Sequence, residues 1–331
     1  MNNQIEDFGQ SPDGKAVQRV ALSGGGLTAH ILTYGATVQD LRIDGVDHPL
    51  VLGAPTLEPY FGPLIYFGAL VGRFANRIAQ GRFTLDGVTY QVPTNWRGRH
   101  ALHGGPVGTG QKVWQIAAAS RESLRLELVL PDGDMGFPGT LRVSAAISLP
   151  GDGALAFDIR AETDAPTPCS FAHHGFFNLD ASPDISGHEL EIKAESYLPV
   201  DGDLIPTGAL APVAGTGFDF RTPRQIGKRG LDHNFCLSDH RESIRPVATL
   251  RSPQSGRSMR IETTEPGLQV YDGANIPPEG LPGLDGRRYG PCAGIALETQ
   301  SWPDAPNHPG FPAAILRPGE TYRHQARYVF R

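Results

Sequence analysis

Turn-forming dipeptides recur along the whole chain and leave room only for short extended segments between them. Asp lies next to Gly at residues 44–45, 86–87, 132–133, 151–153, 201–202 and 285–286. Both residues tolerate the left-handed backbone of tight hairpin turns. The 41 glycines and 29 prolines among 331 residues also fit many strands joined by turns, whereas convincing amphipathic helices are nearly absent.

The segments between these turns show apolar and alternating patterns that predict β-strands. They lie at residues 27–34, 124–130, 141–149, 155–161, 190–198 and 268–271. We therefore predict an all-β fold, a large antiparallel β-sandwich with long sheets. No linker or repeat interrupts the pattern, so we expect a single domain over residues 1–331, with residues 1–7 as a short polar N-terminal extension.

Charge and cysteine content restrict the partners and the compartment. The net charge of −6 argues against nucleic acid and anionic membrane as main partners. The polar start lacks the regions of a signal peptide, and no apolar run approaches the length of a membrane span. Cys169, Cys236 and Cys292 form no CxxC pair, which favours reduced thiols. We expect a cytoplasmic protein, a monomer or homodimer, without nucleic-acid or membrane partners.

The segment Ala293–Gln300 is an apolar strand-like run that contains one acid, Glu298. Period-2 alternation places Ile295 and Leu297 on one face and Ala296 and Glu298 on the other. A carboxylate on a buried strand loses hydration free energy, so such a group is usually paired or functional. The small residues on its face leave room for a ligand. Glu298 is therefore a candidate catalytic residue.

Two histidine segments are further candidates for acid/base chemistry. In residues 171–179, an extended chain places His174, Phe176 and Asn178 on one face and His173 on the other. Adjacent histidines on a strand point apart, so these two are not expected to share a metal. His103 lies beside two glycines, which permits close approach by a ligand. Hydrogen-bonded structural histidines, or a turn histidine at residue 103, are the alternatives.

Two polar segments could bind a ligand. Arg73 and Arg82 each follow a glycine, and together with Arg77 they could bind an anion or sugar hydroxyls, or form a solvated basic turn. Asp232 lies in a polar triplet between apolar residues and could accept hydroxyl donors or cap its own turn. Metal-ligand spacings, a nucleophile elbow and a nucleotide-binding loop are absent from the sequence. The remaining enzymatic option is acid/base chemistry by His and Glu with no cofactor.

Taken together, the motifs of the chain resemble those of the aldose 1-epimerases, also called galactose mutarotases. The resemblance extends from about residue 8 to 330 and is carried by residues 34–38 (YGATV), 72–78 (GRFANRI), 102–105 (LHGG), 132–139 (DGDMGFPG), 174–179 (HGFFNL), 197–208 (YLPVDGDLIPTG), 232–235 (DHNF), 297–300 (LETQ) and 303–307 (PDAPN). It implies a β-sandwich of the galactose mutarotase type (a supersandwich) with an open sugar-binding cleft. It also implies cofactor-free interconversion of the α and β anomers of a free aldose.

The resemblance also implies roles for individual residues. Glu298 matches the general base, His174 the general acid and His103 the other active-site histidine. The expected substrate-binding residues are Asn76, Arg77, Asp232, Gln269 and Phe176. Phe176 replaces the usual Tyr of the family and His173 replaces the usual Asn, so the accepted epimer is expected to depend on this segment.

Three other functions fit parts of the same pattern. A sugar-phosphate 1-epimerase would need basic residues at the far end of the sugar, with Arg73, Arg77 and Arg82 as candidates. A non-catalytic saccharide-binding protein would use the cleft as a receptor. A purely structural sandwich leaves the aligned polar groups without a purpose.

Overall fold

The computed structural model describes residues 4–331 and contains, in this part of the chain, many strands, six short 3₁₀ turns and no α-helix. The strands in chain order are β1 Ile5–Gln10, β2 Ala16–Gly24, β3 Leu27–Leu32, β4 Thr37–Ile43, β5 Leu70–Val71, β6 Arg77–Ile78, β7 Arg82–Leu85, β8 Val88–Gln91, β9 Ala101–Leu102, β10 Gln115–Ala119, β11 Ser123–Leu130, β12 Leu141–Ser148, β13 Ala154–Thr163, β14 Thr167–Pro168, β15 Ala172–His173, β16 Phe176–Phe177, β17 Glu189–Ile192, β18 Ser196–Tyr197, β19 Ala211–Pro212, β20 Arg224–Gln225, β21 Asp232–Cys236, β22 Arg245–Arg251, β23 Ser258–Thr263, β24 Gly267–Tyr271, β25 Leu281–Pro282, β26 Arg288–Tyr289, β27 Ile295–Gln300, β28 Ile315–Leu316 and β29 Tyr322–Phe330. The 3₁₀ turns are Glu58–Phe61, Ala79–Gly81, Thr109–Gln111, Asp134–Gly136, Leu284–Gly286 and Ala305–Asn307. The predicted all-β class is confirmed.

Two large antiparallel sheets form the body of the sandwich. The nine-stranded sheet has the order β10-β11-β12-β13-β29-β23-β22-β17-β20, and the six-stranded sheet has the order β16-β27-β24-β21-β18-β19. A separate four-stranded sheet has the order β1-β2-β3-β4. Side chains of the two large sheets share one apolar core, in which Phe177 packs against Tyr328 with ring centroids 5.0 Å apart. The Tyr328 hydroxyl also donates to the carbonyl of Leu297 at 3.1 Å.

The strand predictions succeeded where the alternation was long. The predicted segments 124–130, 141–149 and 155–161 correspond to β11, β12 and β13, which pair without a bulge. The Asp86–Gly87 turn joins β7 to β8, with φ of 50° and 81° at its two residues, as a tight hairpin requires.

The prediction of one strand over residues 190–198 was wrong. The segment forms β17 in the nine-stranded sheet and β18 in the six-stranded sheet. Between them the Ala194 N–H donates to the Ile192 carbonyl at 3.0 Å, which turns the chain from one sheet to the other. An apolar pattern that is shared by two buried strands hides such a break.

Part of the expected N-terminal extension belongs to a sheet. Residues 5–7 lie in β1, where Ile5 is opposite Val20 of β2. Residues 1–3 of the predicted extension lie outside the described residues. No helix in residues 4–331 has the length and apolar character to cross a membrane.

Candidate active site

The six-stranded sheet forms the floor of a cleft, and its strand register arranges the floor in two rows. Directly opposite residues of antiparallel strands point to the same face. One row runs across β16, β27, β24 and β21 and comprises Phe176, Ala296, Tyr271 and Asp232. The next row comprises Glu298, Gln269 and Asn234. The neighbouring residues Ile295 and Leu297 point into the sandwich core, so the predicted alternation in Ala293–Gln300 is confirmed.

The cleft has a volume of about 230 Å³, which suits a small ligand. Its polar lining comprises Asn76, Arg77, His103, His174, Asp232, Asn275 and Glu298. Its aromatic and apolar lining includes Tyr66, Phe67, Trp96, Phe176, Tyr271, Ile276 and Leu281. All of these polar residues except Asn275 are among the candidates from the sequence. Asn275, Tyr66 and Trp96 are not among them, because an isolated polar or aromatic residue in a loop carries no periodic signal.

Glu298 and His174 form a buried acid–base pair at the bottom of the cleft. Glu298 Oε1 lies 3.5 Å from His174 Nε2, and the two residues are 2% and 6% exposed. His174 lies between β15 and β16, where its backbone N–H donates to Ala69 and its carbonyl accepts from Gly68, both at 2.9 Å. These backbone bonds hold His174 beside the carboxylate although the strand itself is interrupted.

Burial opposes charge on both members of this pair. Burial raises the pKa of Glu298 well above its usual range, the negative charge of Asp232 raises it further, and Arg77 lowers it. Burial lowers the pKa of His174 to about 4, and the charge of Asp232 partly offsets this shift. The pair therefore holds a single proton over a broad range of intermediate pH.

His103 is fixed in one tautomer by its neighbour Asn76. The backbone N–H of His103 donates to the Asn76 carbonyl at 2.9 Å, and the backbone N–H of Asn76 donates to Nδ1 of the His103 ring at 3.1 Å. Both residues have a left-handed backbone, with φ of 51° and 64°. Because Nδ1 accepts a hydrogen bond, the neutral ring carries its hydrogen on Nε2. Burial, together with the charges of His174 and Arg77, keeps the pKa of His103 well below its usual range, so His103 is a neutral donor.

Asp232 is oriented by two neighbours that occupy its two oxygens. Arg77 Nη2 donates to Oδ2 at 2.9 Å, and the Gln269 amide donates to Oδ1. Asn76 Oδ1 in turn accepts from the backbone N–H of Arg77 at 2.9 Å and from its Nη1 at 3.3 Å. Gln269 does not line the cleft and lies behind Asp232. Asp232 therefore presents its remaining lone pairs in a fixed direction.

The cluster of His103, His174 and Glu298 has a spacing that resembles a metal site, with one ligand atom of each within 4.8 Å of the others. The tautomer of His103 does not fit that role. A metal at Nε2 would require the hydrogen to move to Nδ1, which already accepts the Asn76 N–H at 3.1 Å. The donor set therefore fits acid/base chemistry rather than metal binding.

Of the three arginines that could have bound a ligand, Arg73 and Arg82 do not line the cleft. Arg73 is 2% exposed and donates to the carbonyls of Pro138 and Gly139, both at 2.8 Å, and to Thr167 Oγ1 at 3.2 Å. Burial lowers the pKa of Arg73 to about 10. Arg82 is exposed outside the cleft. Sequence spacing could not reveal that the Arg73 side chain forms hydrogen bonds to other segments of the chain inside the protein.

Replacing Arg73 by Met tests this structural role. We expect the free energy of unfolding to fall by about 3–5 kcal/mol, because buried carbonyl groups lose their donors. Denaturant titration measures the loss, with Arg82→Met as the control that changes stability by less than about 0.5 kcal/mol. Equal stability of the two variants would contradict the assignment.

His173 and Asn178 do not reach the cleft. The His173 ring stacks on Phe157 with centroids 4.6 Å apart, inside the core between the sheets. Burial lowers the pKa of His173 to about 3, and neither ring nitrogen has a hydrogen-bond partner among the described residues. Asn178 donates to the carbonyls of Ser182 and Ala293 at 2.9 and 2.8 Å. The prediction that the adjacent histidines point apart is confirmed, but Asn178 does not share the ligand-facing surface with His174.

A β-sandwich with a buried carboxylate–imidazole pair on the floor of a polar cleft defines an acid/base enzyme of the all-β class. The family model described as "Aldose 1-epimerase" matches residues 18–329. The chain therefore belongs to the aldose 1-epimerase family.

Curated relatives and solved structures agree with this membership. The chain is 43% identical to the galactose mutarotase of Rattus norvegicus and 40% identical to that of Homo sapiens, in each case over 98% of this chain and 97% of the relative. It is 35% identical to the aldose 1-epimerase of Escherichia coli K12, over 97% of both chains. The crystal structure of an aldose epimerase homologue from C. elegans has a TM-score of 0.89 at 30% identity and covers 96% of this chain and 99% of its own.

Proposed function

We propose that this protein is an aldose 1-epimerase that interconverts the α and β anomers of a free aldose. The observation that carries the proposal is the buried pair of Glu298 and His174, 3.5 Å apart on the floor of a cleft sized for a small ligand. In this proposal Glu298 is the general base and His174 the general acid. His103, Asn76, Arg77, Asp232 and Phe176 bind the sugar, and Gln269 holds Asp232.

Ring opening moves two protons and breaks one bond. The carboxylate of Glu298 takes the proton of the C1 hydroxyl, and the electron pair of that O–H bond forms the carbonyl of the open aldehyde. The C1–O5 bond breaks with its electron pair on O5, which takes a proton from His174. Each transfer by a positioned side chain contributes roughly 10²–10⁴-fold to the rate.

Ring closure is the same sequence in reverse on the other face of the aldehyde. After rotation about the C1–C2 bond, O5 attacks C1, His174 takes back the proton of O5 and Glu298 returns its proton to the carbonyl oxygen. Both groups regain their starting protonation. His103 donates from Nε2 to a sugar oxygen. Asp232 accepts hydrogen bonds from hydroxyls away from C1 and so holds C1 and O5 in position beside Glu298 and His174.

The protonation of the pair is consistent with this cycle. The productive form, an ionised Glu298 with a protonated His174, holds one proton in total, as does the neutral form favoured by burial. One proton transfer across the 3.5 Å contact interconverts the two forms. Activity is therefore expected at pH values where the pair holds a single proton, and it falls on both sides of that range.

Polarimetry of freshly dissolved α-D-galactose in dilute buffer tests the proposal. The enzyme should speed the approach to the equilibrium rotation, with a rate proportional to its concentration, and leave the final rotation unchanged. The rate of the buffer alone is the control. Tight sugar binding by calorimetry without faster anomerisation would instead favour the non-catalytic saccharide-binding protein.

A free aldose is favoured over a sugar phosphate because, among residues 4–331, no arginine or lysine in the cleft lining is left to bind a phosphate. Arg77 is the one such residue in the lining, and it already donates to Asp232 at 2.9 Å. A phosphate would lie near the negative charge of Asp232 without a counter-ion. We expect kcat/KM for D-galactose to exceed that for its 6-phosphate by at least about tenfold. The reverse order would identify the sugar-phosphate 1-epimerase.

The pH dependence of the variant Asp232→Asn has a defined direction. Asp232 raises the pKa of both Glu298 and His174, whereas Arg77 lowers both. Removing the carboxylate charge leaves Arg77 unbalanced, so both limbs of the kcat profile should move to lower pH. The exposed acid in Asp239→Asn is the control and should leave both limbs in place. A shift to higher pH would contradict the assigned electrostatics.

We also propose that the chain works as a single domain in the cytoplasm, as a monomer or homodimer. Cys169, Cys236 and Cys292 are buried free thiols, which supports a reducing compartment. Light scattering after size exclusion distinguishes the monomer from the homodimer.

Phe176 lines the cleft and stacks on Phe67 with ring centroids 4.3 Å apart, which supports an apolar contact to the sugar at this position.

A further inference from the structure

Only two of the three guanidinium nitrogens of Arg77 form hydrogen bonds among the described residues. Its Nη2 donates to Asp232 and its Nη1 to Asn76, whereas Nε is buried without a hydrogen-bond partner among the described residues. The guanidinium lies over the Trp96 ring, with Cζ 4.6 Å from the ring centroid. At this distance the ring attracts the cation and occupies the space beside it.

Trp96 is itself fixed in a short loop. Its indole N–H donates to the Asp203 carbonyl at 3.0 Å, and its backbone N–H donates to the His100 carbonyl at 2.9 Å. The Asp203 side chain binds Arg97 at 3.1 Å and lies 3.3 Å from His100 Nε2. The loop that carries Trp96 is therefore fastened to the loop at Asp203.

Two arginine side chains lie over the ring of Trp96. The Cζ atom of Arg77 is 4.6 Å and that of Arg97 5.4 Å from the ring centroid. Trp96 also lines the cleft, so its contact with Arg77 gives it a way to influence the reaction.

We propose that Trp96 is a positioning residue that holds the Arg77 guanidinium in the orientation in which it binds Asp232 and faces the sugar. The inference rests on the proposed function, because the role of Arg77 is defined by that reaction. Trp96 keeps the positive charge of Arg77 at a fixed distance from Glu298 and His174. Without the ring, the guanidinium of Arg77 and the carboxylate of Asp232 that it binds are both held less firmly.

The variants Trp96→Leu and Trp96→Phe separate this role from simple packing. Leu fills space without an aromatic face, so kcat/KM should fall about tenfold or more as Arg77 and Asp232 lose their alignment. Gln269 still holds the carboxylate of Asp232 in this variant. Because the charge of Arg77 lowers the pKa of both Glu298 and His174, displacement of Arg77 should move both limbs of the kcat profile to higher pH. Phe retains the ring face and should restore most of the rate and the wild-type profile.

The control is Arg97→Ala, which removes the second cation that lies over the same ring. Arg97 is 47% exposed, and its pair with Asp203 contributes little to stability. This variant should keep the wild-type rate and profile. A Trp96→Leu profile that stays in place, or an Arg97→Ala variant that reproduces the Trp96→Leu loss, would overturn the inference. Anomerisation by the wild-type enzyme tests the proposed function separately from these outcomes.

Discussion

Replacing Glu298 by Gln should lower kcat for anomerisation by about 10²–10⁴-fold, because an amide cannot accept the proton of the C1 hydroxyl. Gln has nearly the same shape as Glu, and its neutral side chain suits a buried position. Burial already raises the pKa of Glu298 and favours its uncharged form. The variant should therefore fold and bind sugar, and the loss of activity should appear as a lower kcat.

The control for this variant is a measurement of stability and sugar binding on the same preparation. A denaturation midpoint at or above that of the wild type, with sugar binding retained, would show that the loss is chemical. If Glu298→Gln anomerised galactose at close to the wild-type rate, Glu298 would not be the base.

Replacing His174 by Ala should cause a loss of similar size, since O5 then lacks its proton donor. The two residues act as one unit across the 3.5 Å contact, so the double variant Glu298→Gln/His174→Ala should be little slower than the slower single variant. Polarimetry of the three variants measures this non-additivity.

The neighbouring histidine provides a control for the His174 variant. His173 has the same side chain but stacks on Phe157 inside the core. His173→Asn should change stability while the folded enzyme keeps its turnover number. Loss of kcat in His173→Asn with normal kcat in His174→Ala would reverse the two roles and contradict the mechanism.

Local sequence patterns predicted the strand that carries Glu298, because alternation in a strand is a geometric property of the backbone. Ile295 and Leu297 lie in the core as their apolar character indicates, and Glu298 faces the cleft beside the small residue Ala296. The opposed directions of His173 and His174 follow from the same alternation. These features need no knowledge of distant parts of the chain.

Features that depend on contacts between distant segments were not predictable. The place of Arg73 depends on the carbonyls of Pro138 and Gly139, which lie more than sixty residues away in sequence. The left-handed backbone of His103 and its tautomer depend on Asn76. The break within residues 190–198 depends on which sheet each half joins. Each requires the assembled fold.

The most direct test of the central claim is exchange between the anomers at equilibrium, measured by NMR saturation transfer on D-galactose. Saturating the α H1 signal should reduce the β H1 signal when the wild-type enzyme is present. The same concentration of Glu298→Gln should leave the β signal at its buffer value. Equal transfer with both proteins, or no transfer with the wild type, would contradict catalysis of ring opening by the pair of Glu298 and His174.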